Sequence, residues 1–226
     1  MKFAMGSLLV NAVAVAGTAF DGISLGAGVG FINTVAQTSS TTTLPAPNDL
    51  KMQNTGTEGK NHIISQLHST YSYHLDSHYN LALNVFYDFS DTTISSITDK
   101  RPVTYDEARY RFKNHWGVAI EPGVYLGEKT LLYLKFAYLR AKLEQSQKES
   151  IGTSTKQISN SVYRDGFGYG LGMKYLCRNN IYVGIEAQHN QYSRFTHKVD
   201  SKIIGTGNAS ITPRQIYGLL SVGYHF

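Results

Sequence analysis

Tyr217-Gly-Leu-Leu-Ser-Val-Gly-Tyr-His-Phe226, the last ten residues, is the stretch whose reading decides the fold. With Ile216 included, Ile216, Gly218, Leu220, Val222, Tyr224 and Phe226 share one face of an extended strand. Tyr217, Leu219, Ser221, Gly223 and His225 share the other. The first face finishes on two aromatic rings, the second of them the terminal residue. A strand that closes a soluble sheet rarely ends on a free aromatic carboxy-terminus. A strand that closes a barrel in lipid often does, because the ring sits at headgroup level. The segment predicts a barrel strand, and the rest of the chain can be searched for its partners.

Alternation of the same kind occurs seven more times. Around Ile23 to Val35, Leu25, Ala27, Val29 and Phe31 oppose Ser24, Gly26, Gly28 and Gly30. Near His62 to His74, Ile63, Leu67, Tyr71 and Tyr73 oppose Gln66, His68, Thr70 and Ser72. Tyr79 to Phe89 is the cleanest, with Tyr79, Leu81, Leu83, Val85, Tyr87 and Phe89 on one face. Arg111 to Leu126 sets Trp116, Val118, Ile120, Val124 and Leu126 against His115, Gly117, Ala119, Glu121 and Gly123. Pro122 falls within that run, and a proline removes a ladder hydrogen bond, so it is expected near a rim or a bulge. Leu131 to Arg140, Gly166 to Leu176 and Ile181 to Tyr192 complete the set of eight.

The connections sort by length. Leu75 to His78, Gly127 to Thr130 and Cys177 to Asn180 are tight. Ala36 to Asn61, Ser90 to Tyr110, Ala141 to Asp165 and Ser193 to Pro213 are long, and the two kinds alternate strictly. That is the arrangement of short periplasmic turns and long external loops. A soluble sandwich has no reason to sort its loops this way. The long connections are rich in Ser, Thr, Asn, Gln, Lys and Gly, as in Gln37 to Thr43, and such composition predicts mobile, solvated segments. The fold class expected is all-β: an eight-stranded antiparallel up-and-down transmembrane barrel.

Composition agrees. The 226 residues suffice for one domain, and charged residues make up only 16%. Beyond the amino terminus no run of about 18 apolar residues exists to form a membrane helix. The net charge of +5 is spread along the chain without a compact basic cluster interleaved with aromatics, which excludes nucleic acid as a partner. A single cysteine, Cys177, rules out an internal disulfide and a multi-thiolate metal site. Residues 1–19 read as a signal peptide: Lys2, an apolar Ala4 to Ala16, then Gly17-Thr18-Ala19 at the cleavage site. Residues 20–226 then form the barrel domain.

The inward face carries charge. Glu121, Lys135, Lys174 and Glu186 point into the predicted lumen, joined near the outer rim by Arg111 and Lys113. An eight-stranded lumen is only wide enough for side chains, so these groups must pair. Tyr133, Tyr182, Tyr125 and Gln188 can complete a polar network that plugs the barrel; an ion path is the alternative. The runs Gly26-x-Gly-x-Gly30 and Gly166-x-Gly-x-Gly-x-Gly172 resemble phosphate-binding loops only superficially, because their spacing is strictly two and no helix follows. No cofactor is implied. His189 and Ser193 are the nearest candidates for a lipid-modifying catalytic pair, but no acidic residue is placed to orient the ring, and no catalytic residue is assigned. No histidine pair has convincing metal spacing. Tyr71, Tyr79, Phe89, Trp116, Tyr138, Tyr175 and Tyr224 lie on the lipid face and form the expected aromatic girdle.

These features together resemble the small bacterial outer-membrane barrels, meaning the transmembrane domain of outer membrane protein A, outer membrane protein X and the opacity-type surface proteins. The matching features are the signal segment, eight strands, four long loops, the inward Glu121 and the Tyr224-x-Phe226 ending. They are general to the architecture. No peptidoglycan-binding domain follows the barrel here, unlike outer membrane protein A, so the likeness does not carry cell-wall tethering with it. The resemblance implies residence in the outer membrane, contact with its lipids and lipopolysaccharide, and Tyr224 and Phe226 as a signal to the barrel-assembly machinery. It also implies a non-enzymatic surface protein whose loops serve adhesion, host-cell or matrix contact, or envelope integrity. A narrow porin-like channel is the second reading and a lipid-modifying enzyme the third.

Overall fold

A computed structural model describes residues 20–43, 51–100, 104–151, 154–178, 180–201 and 205–226. The assigned signal segment, residues 1–19, lies outside the described residues. Ten antiparallel strands follow: β1 (Gly22–Thr43), β2 (Lys51–His74), β3 (Tyr79–Asp88), β4 (Thr92–Lys100), β5 (Thr104–Tyr125), β6 (Thr130–Ile151), β7 (Ser154–Leu176), β8 (Ile181–Tyr192), β9 (Phe195–Ser201) and β10 (Gly205–His225). Eight of them, β1-β2-β3-β5-β6-β7-β8-β10, pair in turn, and β10 pairs back onto β1 to close the ring. This is the predicted eight-stranded barrel. Among the described residues no helix is long and apolar enough to cross a membrane.

The ladder sets the barrel's shape. From Leu25 on β1 the partners run Ser69, Val85, Val118, Tyr138, Phe167, Gln191 and Arg214, and return to β1 at Val35. The return is displaced ten residues along the strand. A displacement of that size over eight strands tilts each by about 40° from the barrel axis. The closing seam is tight. A Cβ on Gly30 would collide with the backbone carbonyl of Gly218 across the β1–β10 pair, so the side-chain-free residue is what lets these strands meet.

Alternation places the apolar rows outside. Leu25, Val29 and Phe31 on β1, Leu81, Leu83, Val85 and Tyr87 on β3, and Ile216, Leu220, Val222 and Tyr224 on β10 are exposed, as are Phe89 and Phe226 just past the ends of β3 and β10, while the neighbours along each strand point inward. A wide band of exposed Leu, Ile, Val and aromatic side chains has no place on a soluble monomer and fits hydrocarbon contact.

Two features depart from the expectations. First, the long connections continue as strands. β1 and β2 stay paired out to Thr43 and Lys51, and β6 and β7 out to Ile151 and Ser154. From Val35 to Thr43 the hairpin rises roughly 20 Å along the axis. β4 pairs with the outer part of β5, and β9 with the outer part of β10. Within this crown β4-β5-β6-β7 form one sheet and β9-β10-β1-β2 another. Their bases are held by a buried apolar cluster that includes Ala36, Phe112, Ala141, Leu143 and Ile211. Polar composition along these segments suggested solvated, mobile chain. It hid the few inward apolar residues that allow a core, because each is isolated between polar neighbours.

Second, β5 carries a bulge between Lys113 and Trp116, with Asn114 at φ 49°. The extra residue flips the side-chain parity above it. Arg111 and Lys113, expected inside, face outward, and Phe112 points into the barrel. Pro122 does not mark this bulge. It sits opposite Leu81 close to the inner end of β5.

Candidate functional site

Glu121, Lys135, Lys174, Glu186, Tyr133 and Tyr182 all project into the lumen from β5, β6, β7 and β8. Lys135 Nζ donates to Glu186 Oε1 at 2.8 Å and lies 3.9 Å from Glu121 Oε1. Lys174 Nζ donates to Glu121 Oε2 at 3.0 Å. Two cations and two anions thus form one neutral chain. Tyr133 donates to Glu186 Oε2 at 2.8 Å, and Tyr217 to Glu186 Oε1 at 3.0 Å. The ammonium of Lys135 stands 4.4 Å from the centre of the Phe86 ring, and that of Lys174 4.7 Å from the Tyr133 ring. A Cβ on Gly172 would overlap the Tyr133 phenol, so that glycine provides the phenol's space. Tyr182 bonds His68 at 2.7 Å rather than joining the carboxylates.

A second polar layer, not singled out from the sequence, sits further out. Asp88 pairs with His115, Gln66 donates to Asp88 at 2.8 Å, and His115 meets the Tyr192 hydroxyl at 2.7 Å. Tyr192 donates to Gln215, whose amide reaches Thr34 at 3.3 Å. The Tyr217 hydroxyl, whose one hydrogen is shared between Glu186 Oε1 and Gln188 Oε1, extends the charged chain to Gln188, which donates in turn to Asn190. Inward parity was the available signal for Asp88 and His115. Their meeting depends on the β3–β5 register, which brings the two residues opposite each other.

Apolar residues bound this polar stack at each end. Phe20, Leu131 and Tyr182 cluster at the inner end, with Tyr125 and Leu176 against them. Asn80 donates to the Tyr125 hydroxyl at 3.0 Å. The Phe112–Leu143–Ile211 cluster covers the outer end. Lys135 is 1% exposed and Asp88 0%, so water does not reach either side chain.

Outside, the aromatic rows form two rings. Tyr73, Tyr79, Tyr175, Tyr224 and Phe226 lie toward the tight turns, and Phe89, Trp116, Tyr138, Phe167 and Tyr169 toward the crown. Edge-to-face contacts join Trp116 to Tyr138 and Tyr138 to Phe167. Tyr71 stands one pair inside the inner ring. Tyr224 packs on Phe226, whose amide donates to the carbonyl of Ile23.

Above the outer ring Lys113 donates toward Glu144 at 2.9 Å and faces Asp91 at 3.8 Å, with Lys142 3.4 Å from Glu144. The hydrogen bond and charge of Glu144 raise the Lys113 pKa above its ordinary value. The hydrogen bond from Lys113 lowers that of Glu144.

The two residues weighed for lipid modification do not meet. His189 packs at a tilt against the Tyr169 ring, and Ser193 lies four residues further along, roughly 13 Å in an extended strand. Among the described residues no group of three potential ligands could hold a metal ion; His74 pairs with Asp21 at 2.9 Å.

A closed eight-stranded ring, an apolar exterior between two aromatic rings and a filled polar lumen define a membrane β-barrel. The chain belongs to the outer membrane protein β-barrel domain family, whose model matches residues 3–226. It is an outer-membrane protein of a Gram-negative bacterium. No curated protein sequence matches it. Similar solved structures include Ail, the attachment invasion locus protein of Yersinia pestis, at 16% identity and TM-score 0.40, covering 91% of this chain and 99% of that one. The outer membrane protease OmpT of Escherichia coli aligns at 13% identity and TM-score 0.40, over 90% and 97%. Neisserial surface protein A aligns at 13% and 0.38, over 88% and 97%.

Proposed function

We propose that this protein is a non-enzymatic surface protein whose crown engages ligands outside the cell, in adhesion, host contact or envelope integrity. The observation that carries this reading is the crown itself. Four hairpins continue as paired strands beyond the outer aromatic ring, anchored at the base by Phe112, Leu143 and Ile211. A fold that only crossed the membrane would need no such extension. Function on a display scaffold resides in the parts it holds out.

The filled lumen favours this reading over conduction, since its charges satisfy one another and its ends are apolar. Cleavage after Ala19 and recognition of Tyr224 and Phe226 by the assembly machinery belong to the same picture of export and insertion. Host-cell or matrix ligands are the expected partners of the crown, and lipopolysaccharide that of the barrel wall. Trimming the crown hairpins one at a time, with folding checked by heat-dependent gel mobility, tests the proposal. Binding of bacteria to host cells or matrix should fall with at least one trimmed hairpin. Unchanged adhesion and envelope resistance after all four are trimmed, or single-channel steps in planar bilayers, would overturn it.

A further inference from the structure

The lipid-facing rows are apolar almost throughout, but β2 carries two serines on that face. Its outward residues read Ile63, Ser65, Leu67, Ser69, Tyr71 and Tyr73. Ser69 stands between Leu25 of β1 and Val85 of β3 on the same rung. A short side chain between two branched ones leaves a notch in the wall. A groove of about 550 Å³ opens there, its outward lining being Leu25, Leu67, Ser69, Val85, Tyr87 and Trp116. Tyr87 and Trp116 belong to the end nearer the crown, and the Tyr87 hydroxyl donates to Asn114 Oδ1 at 3.1 Å, which fixes that ring at the interface. From Trp116 down to Leu25 the groove drops roughly 15 Å along the axis, half of the ~30 Å hydrocarbon core and so the depth of one leaflet.

We propose that this groove is a binding site for one acyl chain of an outer-leaflet lipid. The groove is continuous with the surface that meets the bilayer, so hydrocarbon is the medium at its mouth. Its walls offer water too few polar partners to settle there. Its length matches a single leaflet, and its open end lies in the aromatic ring on the crown side, where an outer-leaflet chain begins. A chain lying in the groove meets side chains of four strands, Leu25 of β1, Leu67 and Ser69 of β2, Val85 and Tyr87 of β3 and Trp116 of β5. The inference rests on the membrane-barrel fold and is independent of what the crown binds.

Trp116 is the only tryptophan of the chain and lines the groove, so it reports occupancy directly. The full barrel in detergent micelles is titrated with a phospholipid bearing dibrominated acyl chains, which quench indole on contact, and in parallel with the free dibrominated fatty acid. Quenching by the phospholipid should saturate at about one lipid per barrel, as for a discrete site. Ser69→Leu fills the notch with the side chain its neighbours already use, and should weaken the saturable component at least about tenfold, whereas Ala187→Leu, outward-facing on the opposite wall, should leave it intact. Gel mobility confirms that each variant is folded, and Ser69→Val serves if the leucine variant is not. Quenching that only follows the mole fraction of brominated lipid overturns the proposal. So does saturation that survives Ser69→Leu, or saturation by the free acid alone.

Discussion

Replacing Lys135 by methionine tests the lumen network at its centre. Methionine keeps an unbranched apolar stem over Phe86 and removes only the charge and its hydrogen bonds. Lys174 stays with Glu121 at 3.0 Å, leaving Glu186 with the neutral donors Tyr133 and Tyr217. A charge pair about 4 Å apart is worth about 4 kcal/mol at an effective dielectric of about 20. Removing one partner of a buried pair costs about 3–5 kcal/mol, because the other charge remains desolvated. We expect Lys135→Met to lose stability in that range. Glu186→Gln alone should cost a similar amount, since Lys135 then keeps only Glu121 at 3.9 Å. The double variant should recover most of the combined loss, because it buries no unpaired charge. Urea unfolding in phospholipid vesicles, followed by Trp116 fluorescence and by gel mobility, measures all three. A cost below about 1 kcal/mol for Lys135→Met, or strict additivity in the double variant, would refute the idea that these charges hold one another.

Other outcomes follow from the same structure. Gly30→Ala should cost about 1–3 kcal/mol and lower refolding yield by pushing β1 from β10, while Gly218→Ala, where a Cβ meets nothing within 4 Å, should be close to neutral; equal effects would count against the tight seam. Phe112→Ala should cost about 3–5 kcal/mol and open the crown to protease, and unchanged cleavage would show that the apolar base does not order it. Asp76 accepts from the amides of His78 and Tyr79 at 2.7 and 3.0 Å, and the first of these bonds chiefly holds its pKa below the usual 3.8. Its contribution to the turn is therefore present above the unfolded value and fades as pH falls through the lowered folded one; an NMR titration midpoint at or above 3.8 would contradict this.

Much of the barrel could be read from the chain because a strand's faces repeat every two residues. Leu81, Leu83 and Val85 declare their side locally, and so do Lys135 and Lys174 opposite them. Cross-ring contacts have no such local mark. Asp88 and His115 are far apart in sequence and meet only through the β3–β5 register. The bulge at Asn114 was also invisible, since a single inserted residue leaves the alternating pattern plausible on both sides. Arg111 and Lys113 were misplaced for that reason, and Phe112 was missed.

The sequence by itself determined that this chain builds eight strands with apolar rows facing lipid and charges facing inward, because side-chain alternation is a property of each strand alone. Tertiary structure decided how far the strands run, where β5 slips, which charges touch and where the wall is notched. Those depend on which residue stands opposite which, and that is settled only when β10 closes onto β1 with its ten-residue displacement.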